Sequence, residues 1–341
     1  MSKHLLIAAA VLALVQAAEA RAQGGVQVFG IIDTYLDVSR GGEAKAERVQ
    51  SGGISGSRLG FRASEDLGSG MKAVFLIESG INVDDGSLGQ GGLTFGRQAW
   101  AGLSTRAGDL TFGRQYSPNF FTIVTYGLGG GLAWGNASNY FTDVSPLRVN
   151  NSVSYTSPTV KGFKARLLYG AGENTTQPGG HHIGDSSSGS LQYDNGRFSA
   201  GFAVQTRKTT TSNTERFFAG GASYQFDVAK VALLAQGRRD DVNLTENDAL
   251  EIGVQIPVGP GFLLLDVGHT RHRNLQQADA TALSVRYDYN LSKRTMLYAG
   301  AAHIRNQGQA RFGINGNTGQ ALAMSPGADP RSVVAGMRHS F

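Results

Sequence analysis

Few residues in this chain have the type and spacing that covalent or metal chemistry requires. His181 and His182 are adjacent in a glycine-rich stretch, with no third ligand spaced for a metal. Neither H-E-x-x-H nor G-x-S-x-G occurs, and Gly127–Gly131 (GLGGG) lacks the Gly-Lys-Ser/Thr that a phosphate-binding loop needs. Asn136-Ala137-Ser138 has the form of a glycosylation acceptor, with nothing around it that favours the reading. The formal charge of +5 and the pI near 9.4 do not point to nucleic acid, because the basic residues are dispersed without a Lys/Arg run. What recurs is charge set into period-two alternation. Arg58 stands opposite Leu59 and Phe61, and Arg148 opposite Val149. Arg286 and Asp288 stand opposite Val285 and Tyr287, and Glu78 and Asp266 read the same way. Charges held on one polar face act on ions through their field. The expectation is a protein with no catalytic residues, cofactor or metal.

The elements that would hold these charges are β-strands. Phe198, Ala200, Phe202 and Val204 share one side of Arg197–Arg207, with Ser199, Gly201, Ala203 and Gln205 on the other. Val333, Ala335, Met337, His339 and Phe341 alternate with Val334, Gly336, Arg338 and Ser340 in the same way. Candidate strands fall at 25–39, 54–65, 71–83, 93–105, 109–116, 148–157, 163–172 and 187–194. They continue at 197–207, 216–226, 231–240, 247–257, 262–272, 279–290, 295–305 and 331–341, sixteen in all. Short connections such as Asp66–Gly70 and Asn195-Gly196 alternate with longer polar ones, Arg40–Gly53, Ser117–Leu147, Glu173–Ser186 and Asn306–Pro330 among them. An even strand count, with short turns on one rim and longer loops on the other, describes a transmembrane antiparallel β-barrel of the outer-membrane kind.

Composition agrees. The chain has 48 Gly in 341 residues and no Cys, with 17% charged residues and a mean hydropathy of −0.18. Beyond the N-terminus there is no apolar run long enough for a helical span. A barrel of this size leaves an aqueous lumen, so polarity belongs inside. At the N-terminus, Lys3 and His4 precede eleven apolar residues, Leu5–Val15, and Ala20-Arg21-Ala22 offers a small-x-small cleavage site. Residues 1–22 thus read as a signal peptide and 23–341 as the mature barrel.

Val26–Leu36 (VQVFGIIDTYL), Ser55–Gly80 (SGSRLGFRASEDLGSGMKAVFLIESG) and the paired FGRQ strands at Thr94–Thr105 and Asp109–Pro118 carry a family resemblance. Arg148–Pro158 (RVNNSVSYTSP), Tyr287–Ala302 and the terminal GMRHSF extend it across the mature chain. The sequence resembles the general diffusion porins of Gram-negative outer membranes, of the β-proteobacterial and neisserial type. That resemblance implies a 16-stranded barrel in the outer membrane, a homotrimer in outer-membrane lipid, whose third long loop folds into the lumen and narrows it. Ser117–Leu147, with Phe120, Phe121, Tyr126, Trp134, Tyr140 and Phe141, would be that loop. A rival for its aromatics is a subunit contact or an exposed lectin-like surface. Matched by motif, Arg58, Arg97 and Arg148, with Arg114 close by, would be pore arginines, and Asp143 is the only acid in the loop.

Several arginines facing one acid would attract small anions. Alternation does not place Arg97 and Arg114 inward, because they share parity with Phe95 and Phe112; either a bulge follows the preceding Gly or they sit at a rim. Glu78, Asp266, Asp288 and Arg286 read as further lumen-facing charges. Phe341, a terminal aromatic after an alternating strand, resembles the signal read by the outer-membrane assembly machinery. The leading expectation is a passive pore for small hydrophilic solutes and ions. A solute-specific channel and a structural or adhesive barrel are the alternatives.

Overall fold

The alternation resolves into seventeen strand segments in a computed structural model, which describes residues 25–141, 146–173, 180–242 and 246–341. In chain order they are β1 (Gln27–Gly41), β2 (Ala44–Ser51), β3 (Arg58–Gly68), β4 (Met71–Gly80), β5 (Gln98–Thr105) and β6 (Gly108–Tyr116). After the longest connection come β7 (Arg148–Thr156), β8 (Phe163–Gly170), β9 (Ser186–Asp194), β10 (Phe198–Lys208), β11 (Thr214–Gln225) and β12 (Lys230–Asp240). The last five are β13 (Asn247–Val258), β14 (Gly261–His272), β15 (Ala280–Asn290), β16 (Thr295–Asn306) and β17 (Arg331–Ser340). Each segment pairs antiparallel with its neighbours, and β17 returns to β1 with Ile31 opposite Ser340 and Arg40 opposite Arg331. The sheet is closed and has no free edge, the condition a β protein must meet in hydrocarbon.

The other side of β1 is shared. Thr34–Gly41 pairs with β2 and Gln27–Ile31 with β3, so β2 and β3 are two halves of one interrupted strand and the barrel has sixteen strands. This corrects one expectation, since Arg40–Gly53 is not a loop. Gly42, at φ +58°, turns the chain between Gly41 and Ala44, and the strand continues through Lys45, Glu47 and Val49. The break at 52–57 has a polar cause. The buried carboxylate of Asp33 accepts the backbone N–H groups of Gly53 (3.1 Å), Ile54 (3.0 Å) and Ser55 (2.8 Å) and the Tyr298 hydroxyl (2.7 Å). These contacts draw the chain out of the ladder.

One face of the wall is apolar and exposed, as at Leu36, Phe202, Val204, Leu250, Leu283 and Val333. The other carries small and polar side chains, including Ser188, Ser190, Ser199, Gln205 and Ser284, all buried. Tyr155, Phe163, Tyr193, Phe198, Tyr224 and Tyr289 line the short-turn rim, with Phe163 and Tyr193 at 4.9 Å between ring centroids. Interfacial aromatics of this kind mark the edge of an apolar band. Residues 1–22 lie outside the described residues.

Candidate functional site

Three sequence-predicted arginines, Arg58, Arg97 and Arg148, meet on one stretch of the polar face, with Arg114 beside them. Arg58 is the first residue after the strand break and Arg148 the first after the loop at 117–147. Arg97 precedes β5, so strand parity does not govern it. It donates through Nε to Glu78 and from Nη2 to the Tyr116 hydroxyl at 2.8 Å. Arg148 reaches the same hydroxyl at 2.8 Å, donates to the Arg97 carbonyl at 2.9 Å, and lies 4.6 Å over the Tyr116 ring. Arg58 approaches Glu78 at 3.7 Å. Tyr116 in turn stacks on Phe120 with centroids 3.9 Å apart.

The register shift beside Arg114 leaves one residue of β6 facing two of β7, Asn150 and Asn151, between the Gly113–Ser152 and Gln115–Val149 pairs. The extra residue lies in β7, as a β-bulge, and β6 keeps its register on β5 with Arg114 opposite Ala99. Arg114 donates to the Gly96 carbonyl at 2.8 Å and to Asn150. Arg97 differs from the others in being only 3% exposed, with its charge matched by Glu78. Arg58, Arg114 and Arg148 keep partly exposed guanidiniums.

Residues 117–141 are held by the polar face across from this cluster. Ser117 caps a helix at Pro118–Tyr126, accepting from the Phe120 N–H at 3.2 Å, with Pro at the first helical turn. Tyr126, Trp134, Tyr140 and Phe141 are buried, which excludes an exposed aromatic surface for these four. Two of them, Tyr126 and Trp134, are seated on glycines. A Cβ at Gly221 would come within 2.5 Å of the Tyr126 ring, and one at Gly300 within 2.5 Å of Trp134. Tyr126 also bonds Ser199 at 3.1 Å.

Arg286, 2% exposed, donates to Asp288 at 2.8 Å, to the Gly129 carbonyl at 2.6 Å and to the Trp134 carbonyl. Asp266 accepts the Ala137 N–H at 2.9 Å, and Glu251 accepts that of Ser138. Arg286, Asp266 and Asp288 therefore do lie on the polar face, but they are covered by the loop segment and do not face open solvent. Glu78 lies on that face too, spent on Arg97 and Arg58. Asp143 lies outside the described residues.

Sequence reading misses several of these residues. Arg166 sits 4.7 Å over Phe121, and its opposition to outward Leu167 is an available parity signal. Glu251, between outward Leu250 and Ile252, carries the same parity signal, whereas the arginine partners of Tyr116 and the Tyr298 partner of Asp33 are distant in sequence. The return of 307–330 onto the same region, where Asn317 donates to the Leu132 carbonyl at 2.6 Å, has no local signal either. His182 bonds Asp185 at 2.9 Å, and among the described residues no group of three side chains could hold a metal. Phe341 exchanges two backbone hydrogen bonds with Gly30, both 3.1 Å, at the barrel seam.

Against known proteins, the sequence profile described as "Gram-negative porin" matches residues 8–309. Outer membrane porin protein 32 of Delftia acidovorans is 33% identical, over 99% of this chain and all of that one. An outer membrane porin protein of Bordetella pertussis is 29% identical, over 99% of this chain and all of that protein. Among solved structures, the anion-selective porin from Comamonas acidovorans superposes with a TM-score of 0.83 at 29% identity, covering 94% of this chain and all of that one.

Proposed function

Because this chain belongs to the Gram-negative porin family, we propose that its barrel is a water-filled path for small hydrophilic solutes, narrowed by residues 117–147 and preferring anions. It is an outer-membrane porin, and the finer reading concerns what it passes. The observation that carries the anion preference is the arginine cluster: Arg58 and Arg97 pair with one carboxylate, Glu78, while Arg148 bonds the Arg97 carbonyl and Arg114 the Gly96 carbonyl beside them. The excess charge lies on the partly exposed members, where a passing anion is attracted and a cation repelled. The similar Comamonas protein is described as anion-selective, in keeping with this reading.

Reversal potentials across planar bilayers in a potassium chloride gradient test it. An anion-directed potential is expected, fading towards molar salt as the Debye length falls to about 3 Å; a clear cation preference would sink the idea. We further assign the protein to a homotrimer, for which conductance steps arriving in threes are the expected signature. Cleavage after residue 22 predicts a mature N-terminus at Gln23, readable from the intact mass. Phe341 is assigned as the assembly signal, and its deletion should lower the yield of folded barrel in the outer membrane; an unchanged yield would remove that role.

A further inference from the structure

The two rims of the outward face differ in chemistry. The short-turn rim carries aromatics at outward strand positions. On the loop rim, Arg216 alternates with buried Glu215 and Phe217, and Arg239 with Arg238 and Asp240, so both guanidiniums project outward. They are direct cross-strand partners, a like-charge pairing that costs stability. Arg271, flanked by buried Thr270, stands opposite Asp248 on the adjacent strand, and Arg273 follows it on the same side.

Two aspartates serve three of these four arginines. Asp241 bonds Arg216 at 2.5 Å, and Asp248 is shared by Arg239 and Arg273, each at 2.6 Å. Arg271 makes no ion pair among the described residues. The patch thus keeps net positive charge and free N–H donors, with Arg216 and Arg273 exposed by 56% and 51%. Immediately below it the outward surface is apolar, at Phe218, Leu250, Val267 and Leu283. Arg239 itself packs 5.3 Å over the Phe218 ring.

We propose that Arg216, Arg239, Arg271 and Arg273 form a docking site for the phosphorylated headgroup of a lipid in the leaflet around the loop rim. The patch sits where a headgroup lies when its acyl chains cover the apolar band. Long loops place this rim on the extracellular side of an outer-membrane barrel. Guanidiniums suit phosphate because their fork of donors matches its oxygens. The site rests on the membrane location and not on the ion preference, so bilayer reversal potentials report separately on the latter.

Purified folded protein in detergent, mixed with diphosphorylated lipid A and read by native mass spectrometry, tests the assignment. The lipid should remain bound, and its dephosphorylated form should bind about 25-fold more weakly, the product of roughly a fivefold factor for each of two basic residues near an anionic surface. Arg271→Gln/Arg273→Gln should lose about the same 25-fold, whereas Arg271→Lys/Arg273→Lys should retain most binding and Lys293→Gln/Arg294→Gln, at the opposite rim, should change nothing. Equal binding of both lipid forms to the wild-type protein, or retention of neither, overturns the proposal even where a variant fails to fold. Displacement of the lipid by an equal concentration of inorganic phosphate would also overturn it, by showing a site for free anions.

Discussion

Charge on the polar face of the wall is used in two ways. In the cluster between β3 and β8, Glu78 is the one carboxylate paired with the arginines among the described residues, and Arg58, Arg114 and Arg148 keep contact with solvent. Between β13 and β15, Glu251, Asp266, Arg286 and Asp288 are buried, and their hydrogen bonds run to the backbone of residues 129–138. The covered side spends its charge on holding a loop, while the uncovered side keeps charge that a solute can feel. A near balance of acids and bases over the whole chain therefore says little about the field in a channel. What matters is which charges the loop covers.

Breaking the covered side should give the largest effect. Arg286→Ala leaves Asp288 buried without its partner and strips two loop carbonyls, a loss of about 3–5 kcal/mol by analogy with other severed buried pairs. Lower heat resistance of the folded barrel and larger, noisier single-channel currents are expected; unchanged values for both would mean the loop is held elsewhere. A smaller disturbance on the same side is Gly221→Val, which pushes into the Tyr126 ring. Overpacking there should cost about 1–3 kcal/mol, with altered conductance and an unchanged sign of ion preference.

On the uncovered side the effects move to selectivity. Arg148→Glu reverses a charge beside the path and should lower the anion-to-cation permeability ratio roughly three- to tenfold, the scale of two unit charges a few ångströms apart in a watery medium. Folding yield and heat resistance should hardly change, and a fall in stability without a selectivity shift would place Arg148 among the loop-holding residues instead. Arg114→Gln, at the margin of the cluster, should change the ratio by less than about twofold. If both substitutions left reversal potentials untouched, the contrast between the two sides would have no functional meaning.

Much of this is legible in the sequence. Strand positions at 198–208, 261–272 and 280–290 follow the alternation closely, because outward residues must be apolar and inward ones need not be. The stretch from Ala44 to Ser51 reads as loop because charges occupy both of its faces, and the turn at Gly42 is too short to stand out. Arg58 and Arg148 follow from parity, whereas the setting of Arg114 does not, since the residue inserted beside it belongs to the neighbouring strand β7.

The sequence by itself determined the barrel, its strand pattern and the arginines that gather near one loop. Period-two patterning and turn chemistry are local, and a closed sheet is the one β arrangement that leaves no unpaired backbone in lipid. Only the tertiary structure decided which charges remain open. Glu251 and Ser138, or Asp33 and Tyr298, meet across 113 and 265 residues of chain. Whether a buried charge ends up matched or a surface one exposed depends on contacts that no local pattern encodes.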